Sequence, residues 1–256
     1  MTFQGVRVRS TVRLHRDVIH ASGAKLAGLI YEPDAVAAKP VVLAHGYTGC
    51  KESMDVLASY LCSTGRMCIT FDFRGHKLGG SDGVMGAAGD AVEDVLAAFE
   101  RLLVRSGSKD AEVVGHSMGG AAGLAASTSD DRITAVALLG TSASVASGFD
   151  SPAGDVLMAQ RGDYVVGAPA MTILLEIGRL CREAIGRRPI PALFVAGRHD
   201  IIVRADAVRE LAHAYGSHAE FIIVEGGHVD LPVRARGFVA AWLDRVSGES
   251  RESRSG

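Results

Sequence analysis

The sequence AEVVGHSMGG, at residues 111–120, predicts a short buried strand that turns directly into a helix. Strand-forming valines precede Gly115, and small residues suited to a closely packed helix follow Met118. Glycines two positions before and two positions after Ser117 let the strand and the helix approach closely at this tight turn, called the elbow below. A G-x-S-x-G pattern between a strand and a helix is typical of a serine presented as a nucleophile.

A serine hydroxyl is a weak nucleophile, so it needs a base and an acid that orients the base. Both residue types follow the elbow in the chain. Asp200 comes shortly after the apolar segment 193–196, and His228 shortly after the apolar segment 221–224. Because each segment reads as a strand, both side chains are expected at the carboxyl edge of a parallel sheet, where such sheets bind ligands. We therefore predict Ser117 as nucleophile, His228 as base and Asp200 as the orienting acid.

Other residues near these positions compete for the same roles. His199 adjoins Asp200 and is an alternative base, while Asp206 and Asp230 are weaker alternatives for the acid. His116 lies inside the elbow, where we expect it to pack beside the nucleophile.

An oxyanion hole needs backbone N–H groups that point at the charge developing on the substrate oxygen. Met118 is one candidate donor, because it begins a helix whose amino-terminal dipole favours negative charge. The second donor is expected from the loop HGYTG at residues 45–49, which follows the apolar segment 41–44. Gly46 permits a sharp turn there, and the N–H of Tyr47 is the second candidate.

Short apolar runs of strand type alternate with amphipathic runs of helix type along residues 1–246. This alternation predicts a single α/β domain with a mostly parallel central sheet and helices on both faces. The pattern breaks at about residues 141–188, which are too many for a plain connection, so we predict a short inserted lid there. Residues 247–256 carry Ser, Gly, Arg and Glu without an apolar anchor and are expected to form a disordered tail.

The composition excludes several classes of protein. The 256-residue chain is 48% hydrophobic and has a formal net charge of −2, which fits one soluble domain and gives no indication of a nucleic-acid or membrane partner. The amino-terminal residues lack the pattern of a secretory signal, so we expect a cytoplasmic protein. The four cysteines have neither metal-binding nor C-x-x-C spacing, which predicts reduced thiols.

Over residues 23–246 the chain resembles the α/β-hydrolase superfamily. The phrases that carry this resemblance are HGYTG (45–49), DFRGH (72–76), SDG (81–83), GHSMGG (115–120), GRHD (197–200) and GGH (226–228). They look most like those of small cytoplasmic carboxylesterases with a short lid, the group that contains feruloyl and cinnamoyl esterases and serine aminopeptidase-like hydrolases. The resemblance implies the α/β-hydrolase fold and hydrolysis through an acyl-enzyme, with no metal and no organic cofactor. One departure is the segment 77–81, which is longer than in these relatives.

The predicted substrate is a small or medium carboxylic ester with an apolar acyl part. A serine at the elbow is equally compatible with a thioester or a lactone, because fold and triad are shared and the pocket decides between them. A third possibility is a ligand-binding protein on this fold without turnover. We expect a small-molecule partner, and the oligomeric state stays open.

Substrate contacts are expected from the loop after the first parallel strand and from the apolar residues of the lid. The candidate contact residues are His45, Gly46, Met158, Met171 and Leu175. Five arginines in the lid segment either form a solvated face or bind a carboxylate or a coenzyme A phosphate. These arginines are Arg161, Arg179, Arg182, Arg187 and Arg188.

Overall fold

The computed structural model describes residues 11–144 and 152–252 of the chain. In chain order its strands are β1 (Val12–Ala21), β2 (Ala24–Pro33), β3 (Val41–Ala44), β4 (Cys68–Phe71), β5 (Ala111–His116), β6 (Ile133–Leu139), β7 (Ala192–Gly197) and β8 (Ala219–Val224). Its helices are α1 (Asp55–Ser63), α2 (Ala88–Ser106), α3 (Met118–Ser127), α4 (Pro152–Arg161), α5 (Ala170–Ala184), α6 (Ala205–Tyr215) and α7 (Leu231–Glu252). Among these described helices, none is long and apolar enough to span a membrane.

The strands form one sheet in the order β1-β2-β4-β3-β5-β6-β7-β8. The pairs β1–β2 and β2–β4 are antiparallel, and the pairs from β4 to β8 are parallel. This confirms the mostly parallel sheet that the alternating pattern predicted. Because parallel strands end at the same edge, the loops that follow β3, β5, β7 and β8 come together there.

Helices cover both faces of the sheet, as predicted. On one face Phe99 of α2 and Ile173 of α5 belong to the same buried cluster, while Leu61 of α1 and Trp242 of α7 are buried on the other face. The four residues of β3 are all buried, which a strand covered on both faces requires. All four cysteines are free thiols.

Much of the segment predicted as a lid, residues 141–188, packs into the core of the protein. Its second half forms α5, whose Ile173 and Cys181 side chains are buried against α2 and α3. The amphipathic spacing that was read as lid therefore belongs to a helix with one face in the core. Only residues 152–169, which include α4, stand outside the alternating pattern, and residues 145–151 lie outside the described part of the chain.

The predicted disordered tail, residues 247–256, is corrected for its first six residues, because α7 continues to Glu252. The Ser247 hydroxyl donates a 2.7 Å hydrogen bond to the buried carboxylate of Glu112, which also pairs with the buried guanidinium of Arg66. A polar residue that composition alone assigns to solvent thus has a buried charged partner at the start of β5. The structure does not describe the last four residues.

The longer loop at residues 77–81 folds around the buried carboxylate of Asp72. The Gly80 N–H donates to this carboxylate at 2.8 Å, and the Ser81 hydroxyl donates to the Asp72 carbonyl at 2.6 Å. A Cβ atom at Gly79 would lie 2.1 Å from the Asp72 Cγ, so only glycine fits this contact. These contacts hold the loop against Asp72, the residue that follows β4.

We expect Ser247→Ala to lower the free energy of unfolding by about 1.5–3 kcal/mol, the usual worth of a hydrogen bond to a buried charged group. Urea denaturation would measure the change. The matched control is Ser217→Ala, because Ser217 is exposed and its hydroxyl contacts only the neighbouring His218 ring at 3.4 Å. Equal unfolding free energies for the two variants would contradict the Ser247–Glu112 hydrogen bond at the end of α7.

Candidate active site

The backbone of Ser117 has a conformation that non-glycine residues rarely adopt, with φ 53° and ψ −116°. The neighbouring chain holds it there. The Ser117 N–H donates to the Leu139 carbonyl at 2.8 Å, and the Thr141 hydroxyl donates to the Ser117 carbonyl at 2.8 Å. Such strain costs on the order of 1–3 kcal/mol and persists where the surroundings over-determine it, often at functional sites.

The glycines of the elbow are required by close backbone approaches. A Cβ atom at Gly115 would lie 2.2 Å from the Gly119 carbonyl oxygen, and one at Gly119 would lie 2.4 Å from the Ala44 oxygen. The third glycine, Gly120, faces the Thr141 hydroxyl, with a Cβ distance of 2.3 Å. The structure thus gives the physical reason for the G-x-S-x-G-G pattern: β5, α3 and the end of β3 cross without space for side chains.

His228 and Asp200 are joined by a 2.7 Å hydrogen bond between Nδ1 and Oδ2. The other carboxylate oxygen of Asp200 accepts the N–H groups of Ile202 and Val203 at 2.9 and 2.8 Å, so the carboxylate is fixed in orientation. Since a carboxylate only accepts, Nδ1 of His228 carries a proton, and in the neutral imidazole this leaves Nε2 as the acceptor. This is the arrangement that a base beside a serine needs.

Gly140, at the end of β6, is a part of the site that sequence reasoning missed. Its φ is +59°, and a Cβ atom there would lie 3.3 Å from both Asp200 Oδ2 and His228 Nδ1. The chain between the elbow and the acid therefore passes directly beside the Asp200–His228 pair. A glycine ending a buried strand was the available signal, but its partners are far away in the sequence.

His116 positions the loop that carries His228. Its Nε2–H donates to the His228 carbonyl at 2.9 Å, and the two rings lie 4.7 Å apart. Burial, with the neighbouring His228, lowers the pKa of His116 well below its ordinary value, so the ring is neutral. His116 thus links β5 to the loop after β8 and lines the same cavity as Ser117, the predicted nucleophile.

The loop at residues 45–49 forms a tight turn against the elbow, closed by a 3.0 Å hydrogen bond from the Gly49 N–H to the Gly46 carbonyl. Thr48 has φ 62°, the second non-glycine residue with positive φ in the described chain. A Cβ atom at Gly46 would lie 3.2 Å from the Ser117 Cβ, so this loop passes close to Ser117. Met118 begins α3, where an N–H has no carbonyl one turn earlier in the helix.

Two buried imidazoles, those of His45 and His76, stabilise this loop. His45 Nδ1–H donates to the Gly46 carbonyl at 2.8 Å, and its Nε2 accepts the Phe73 N–H at 3.1 Å. His76 lies 5.0 Å from the His45 ring and 5.7 Å from the Tyr47 ring. Burial lowers the pKa of His45 to about 3, helped by His76, and burial lowers the pKa of His76 to about 4.

A cavity of about 170 Å³ opens beside Ser117 and His228. The other residues that line it are Gly46, Tyr47, Thr48, Gly49, Ser53, His116, Met158, Arg161, Ile202 and Val229. Of the predicted substrate contacts, Gly46 and Met158 are in this wall. The His45 side chain is buried. Met171 and Leu175 lie on α5, where Met171 packs on the core and Leu175 is exposed.

Several wall residues were missed because no sequence pattern marks them. Ile202 and Val229 follow the predicted acid and base in loops, and Ser53 lies in the turn before α1. In the sequence Arg161 is not distinguished from the four other arginines of residues 141–188. It ends α4, which brings it to the cavity.

The competing residues lie in other settings. His199 is exposed and contacts the Glu225 carboxylate at 3.2 Å. Asp206 pairs with Arg204 on the surface. Asp230 accepts the Gly227 N–H and pairs with Arg234, so it stabilises the turn before α7. Within the residues that the structure describes, no group of three His, Cys, Asp or Glu side chains is placed to hold a metal ion.

Strain at the elbow predicts an unusual order of stability for two substitutions. Ser117→Gly should be more stable to urea than Ser117→Ala by about 1 kcal/mol, because glycine relieves the positive φ at some entropic cost. At Ser127, which ends the regular helix α3, the same pair should show the opposite order. Ser117→Ala being equal to or more stable than Ser117→Gly would contradict the strain.

Buried neutral histidines predict a loss of stability at low pH. The unfolded chain takes up a proton on His76 near pH 6.5, whereas the folded protein takes it up only near pH 4. Stability therefore falls as pH drops through this window, by about 1.4 kcal/mol per pH unit for each such histidine. We expect His76→Asn to reduce the slope of unfolding free energy between pH 6 and 5 by about that amount.

Urea denaturation at pH 7, 6 and 5 would measure this slope. His213→Asn is the matched control, because His213 is exposed in the folded protein. A slope for His76→Asn that equals that of the wild type would contradict the buried neutral imidazole.

Comparison with solved structures shows the same fold in three hydrolases. An esterase from Pyrococcus furiosus is 20% identical, with a TM-score of 0.73 over 92% of both chains. An esterase from Thermogutta terrifontis is 18% identical, with a TM-score of 0.64 over 91% of this chain and 99% of that one. A dienelactone hydrolase from Anabaena variabilis is 14% identical, with a TM-score of 0.66 over 92% of this chain and 98% of that one. No functionally curated protein matches the sequence significantly.

These neighbours confirm the predicted α/β-hydrolase fold. A family model described as serine aminopeptidase, S33, matches residues 35–170, more than half of the 256-residue chain. The matched region contains both the loop at residues 45–49 and the elbow at Ser117. The chain therefore belongs to the serine aminopeptidase S33 family of the α/β-hydrolase superfamily and is a hydrolase.

Proposed function

We propose that this protein hydrolyses short carboxylic esters through an acyl-enzyme on Ser117. The observation that carries the proposal is the 2.7 Å Asp200–His228 hydrogen bond, because His228 lines the same cavity as the strained Ser117. Such strain is found at functional sites, and here it belongs to a sharp strand-to-helix turn of the kind that presents a serine nucleophile.

The geometry supports a two-step reaction. His228 Nε2 takes the proton of Ser117 as its oxygen attacks the ester carbonyl, and Asp200 stabilises the resulting imidazolium. The N–H groups of Tyr47 and Met118 receive the charge on the carbonyl oxygen. His228 then gives the proton to the leaving alcohol, and a water molecule, activated in the same way, releases the acid and restores Ser117.

The size of the cavity favours a short acyl group. Pockets for drug-sized ligands measure about 300–1,000 Å³, whereas this one measures about 170 Å³. Met158, Ile202 and Val229 give it an apolar side that suits a short hydrocarbon chain. Two of the similar structures are esterases and one is a dienelactone hydrolase, which agrees with ester or lactone chemistry.

An ester is favoured over the peptide bond that the family description names. An aminopeptidase must bind a protonated α-amine, for which a carboxylate is the natural partner. Among the described residues that line the cavity there is no Asp or Glu, and the charged one is the cation Arg161. A cation beside the site repels a protonated amine.

We expect the wild type to hydrolyse p-nitrophenyl butyrate at least 10-fold faster, in kcat/KM, than p-nitrophenyl decanoate, because the cavity encloses only a short chain. Ser117→Ala and His228→Gln should each lose about 10⁴-fold or more in kcat, since the triad acts as a unit. The exposed Ser217→Ala is the control and should keep full activity.

Intact mass after treatment with a fluorophosphonate tests the nucleophile directly. One label on the wild type that disappears in Ser117→Ala would support an activated serine. A folded wild type that takes no label and turns over no ester, thioester or lactone would contradict the proposal and favour a binding function.

A further inference from the structure

Arg161 differs from the other arginines of residues 141–188 in the surroundings of its guanidinium group. Arg179 pairs with Glu183 one turn along α5, and Arg182 donates to the Ala143 carbonyl. Arg188 donates to backbone carbonyls at the end of α3 and in the loop after it. Arg161 alone among these four lines the cavity that holds Ser117.

No carboxylate neutralises Arg161 in the part of the chain that the structure describes. The described ion pairs include none from its guanidinium, which instead lies 5.5 Å from the centre of the Tyr164 ring. The nearest acid in the sequence, Asp163, is paired with Lys77. A half-buried cation on an aromatic face is stabilised without losing its capacity to bind an anion.

The rest of the described cavity wall leaves this positive charge uncompensated. The other residues of this wall include the uncharged Tyr47, Thr48 and Ser53, and apolar residues from α4 and from the loops after β7 and β8. His116 is held neutral by burial. The Asp200 carboxylate lies behind His228 and is occupied by it. An anionic group on a substrate would therefore find one attractive centre and no repulsive one.

The chain next to Arg161 is anchored to the body of the protein. The Tyr164 carbonyl accepts the Lys77 N–H at 2.8 Å, the Val166 N–H donates to the Gly75 carbonyl at 2.8 Å, and the Met85 N–H donates to the Val166 carbonyl at 2.9 Å. These bonds tie the chain just after α4 to the body of the protein. A pre-positioned guanidinium loses less entropy when it binds a carboxylate, which it can hold by two parallel hydrogen bonds.

Resting on the proposed esterase function, we propose that Arg161 binds an anionic group of the substrate, so that the enzyme prefers short esters that carry a carboxylate. The carboxylate belongs either to the acyl part or to the alcohol part of the ester. In both cases it lies within the small cavity, a few bonds from the carbonyl that Ser117 attacks.

Three alkyl esters of similar size test this proposal in a pH-stat. Ethyl butyrate is neutral, monoethyl succinate carries its carboxylate in the acyl part, and carboxymethyl butyrate carries it in the alcohol part. We expect one of the two anionic esters to exceed ethyl butyrate in kcat/KM by about 10- to 100-fold, the factor that a hydrogen-bonded charge pair supplies. The ester that is preferred assigns the carboxylate to one side.

Variants of Arg161 identify the source of the preference. Arg161→Gln should remove this preference, mainly through a higher KM for the preferred anionic ester. Arg161→Glu should reverse it. The control Arg179→Gln, on the exposed face of α5, should behave as the wild type. A wild type that hydrolyses these esters without the preference, or a preference that survives in Arg161→Gln, would overturn the proposal.

A binding measurement separates this proposal from the proposed esterase function. Calorimetry would follow monoethyl succinate and carboxymethyl butyrate binding to Ser117→Ala and to Ser117→Ala with Arg161→Gln. If the wild type hydrolyses none of the three esters, but an anionic ester binds only when Arg161 is present, the esterase proposal fails and the anion site stands. Binding of neither ester, or equal binding to both proteins, overturns the anion site.

Discussion

The crossing of β5, α3 and the end of β3 at Ser117 is the constraint on which the site depends. Three backbone segments meet there so closely that a Cβ atom at Gly115 or Gly119 would fall within 2.4 Å of another chain segment. The serine between them is left with a strained backbone that no local preference would choose. Packing of the sheet and helices therefore holds Ser117 in this backbone conformation.

The rest of the site is assembled by hydrogen bonds that run between strands. His228 is fixed from two sides, by Asp200 from the loop after β7 and by His116 from β5. Gly140 leaves space for this pair at the end of β6. Each catalytic candidate is thus oriented by chain that is distant in sequence, which is what pre-organisation of an active site requires.

Charge is distributed unevenly around the cavity. Burial keeps His45, His76 and His116 neutral, so these three imidazoles add polarity without charge. Arg161, at the end of α4, is a cation that the described wall does not balance. In the proposed function Ser117, His228 and Asp200 carry out the hydrolysis, and Arg161 adds the proposed preference for an anionic substrate.

The amino-acid sequence by itself determined the features that depend on local pattern. Alternating apolar runs predicted the sheet and its helices, and the spacing of Gly115, Ser117 and Gly119 predicted the elbow. The order of Ser117, Asp200 and His228 along the chain indicated which side chains meet, because each follows a strand that ends at the same edge. These predictions needed only the period of the elements and the direction of the strands.

The tertiary structure alone decided which surfaces meet. The amphipathic pattern of α5 is the same whether the helix covers a site or packs on α2 and α3, so the sequence could not distinguish lid from body. Ser247 resembles tail residues until its partner Glu112, 135 positions away, is brought beside it. The five arginines of residues 141–188 look alike in the sequence. Only the three-dimensional course of the chain places Arg161 at the cavity. The reason is that burial and ion pairing depend on contacts that no local sequence pattern encodes.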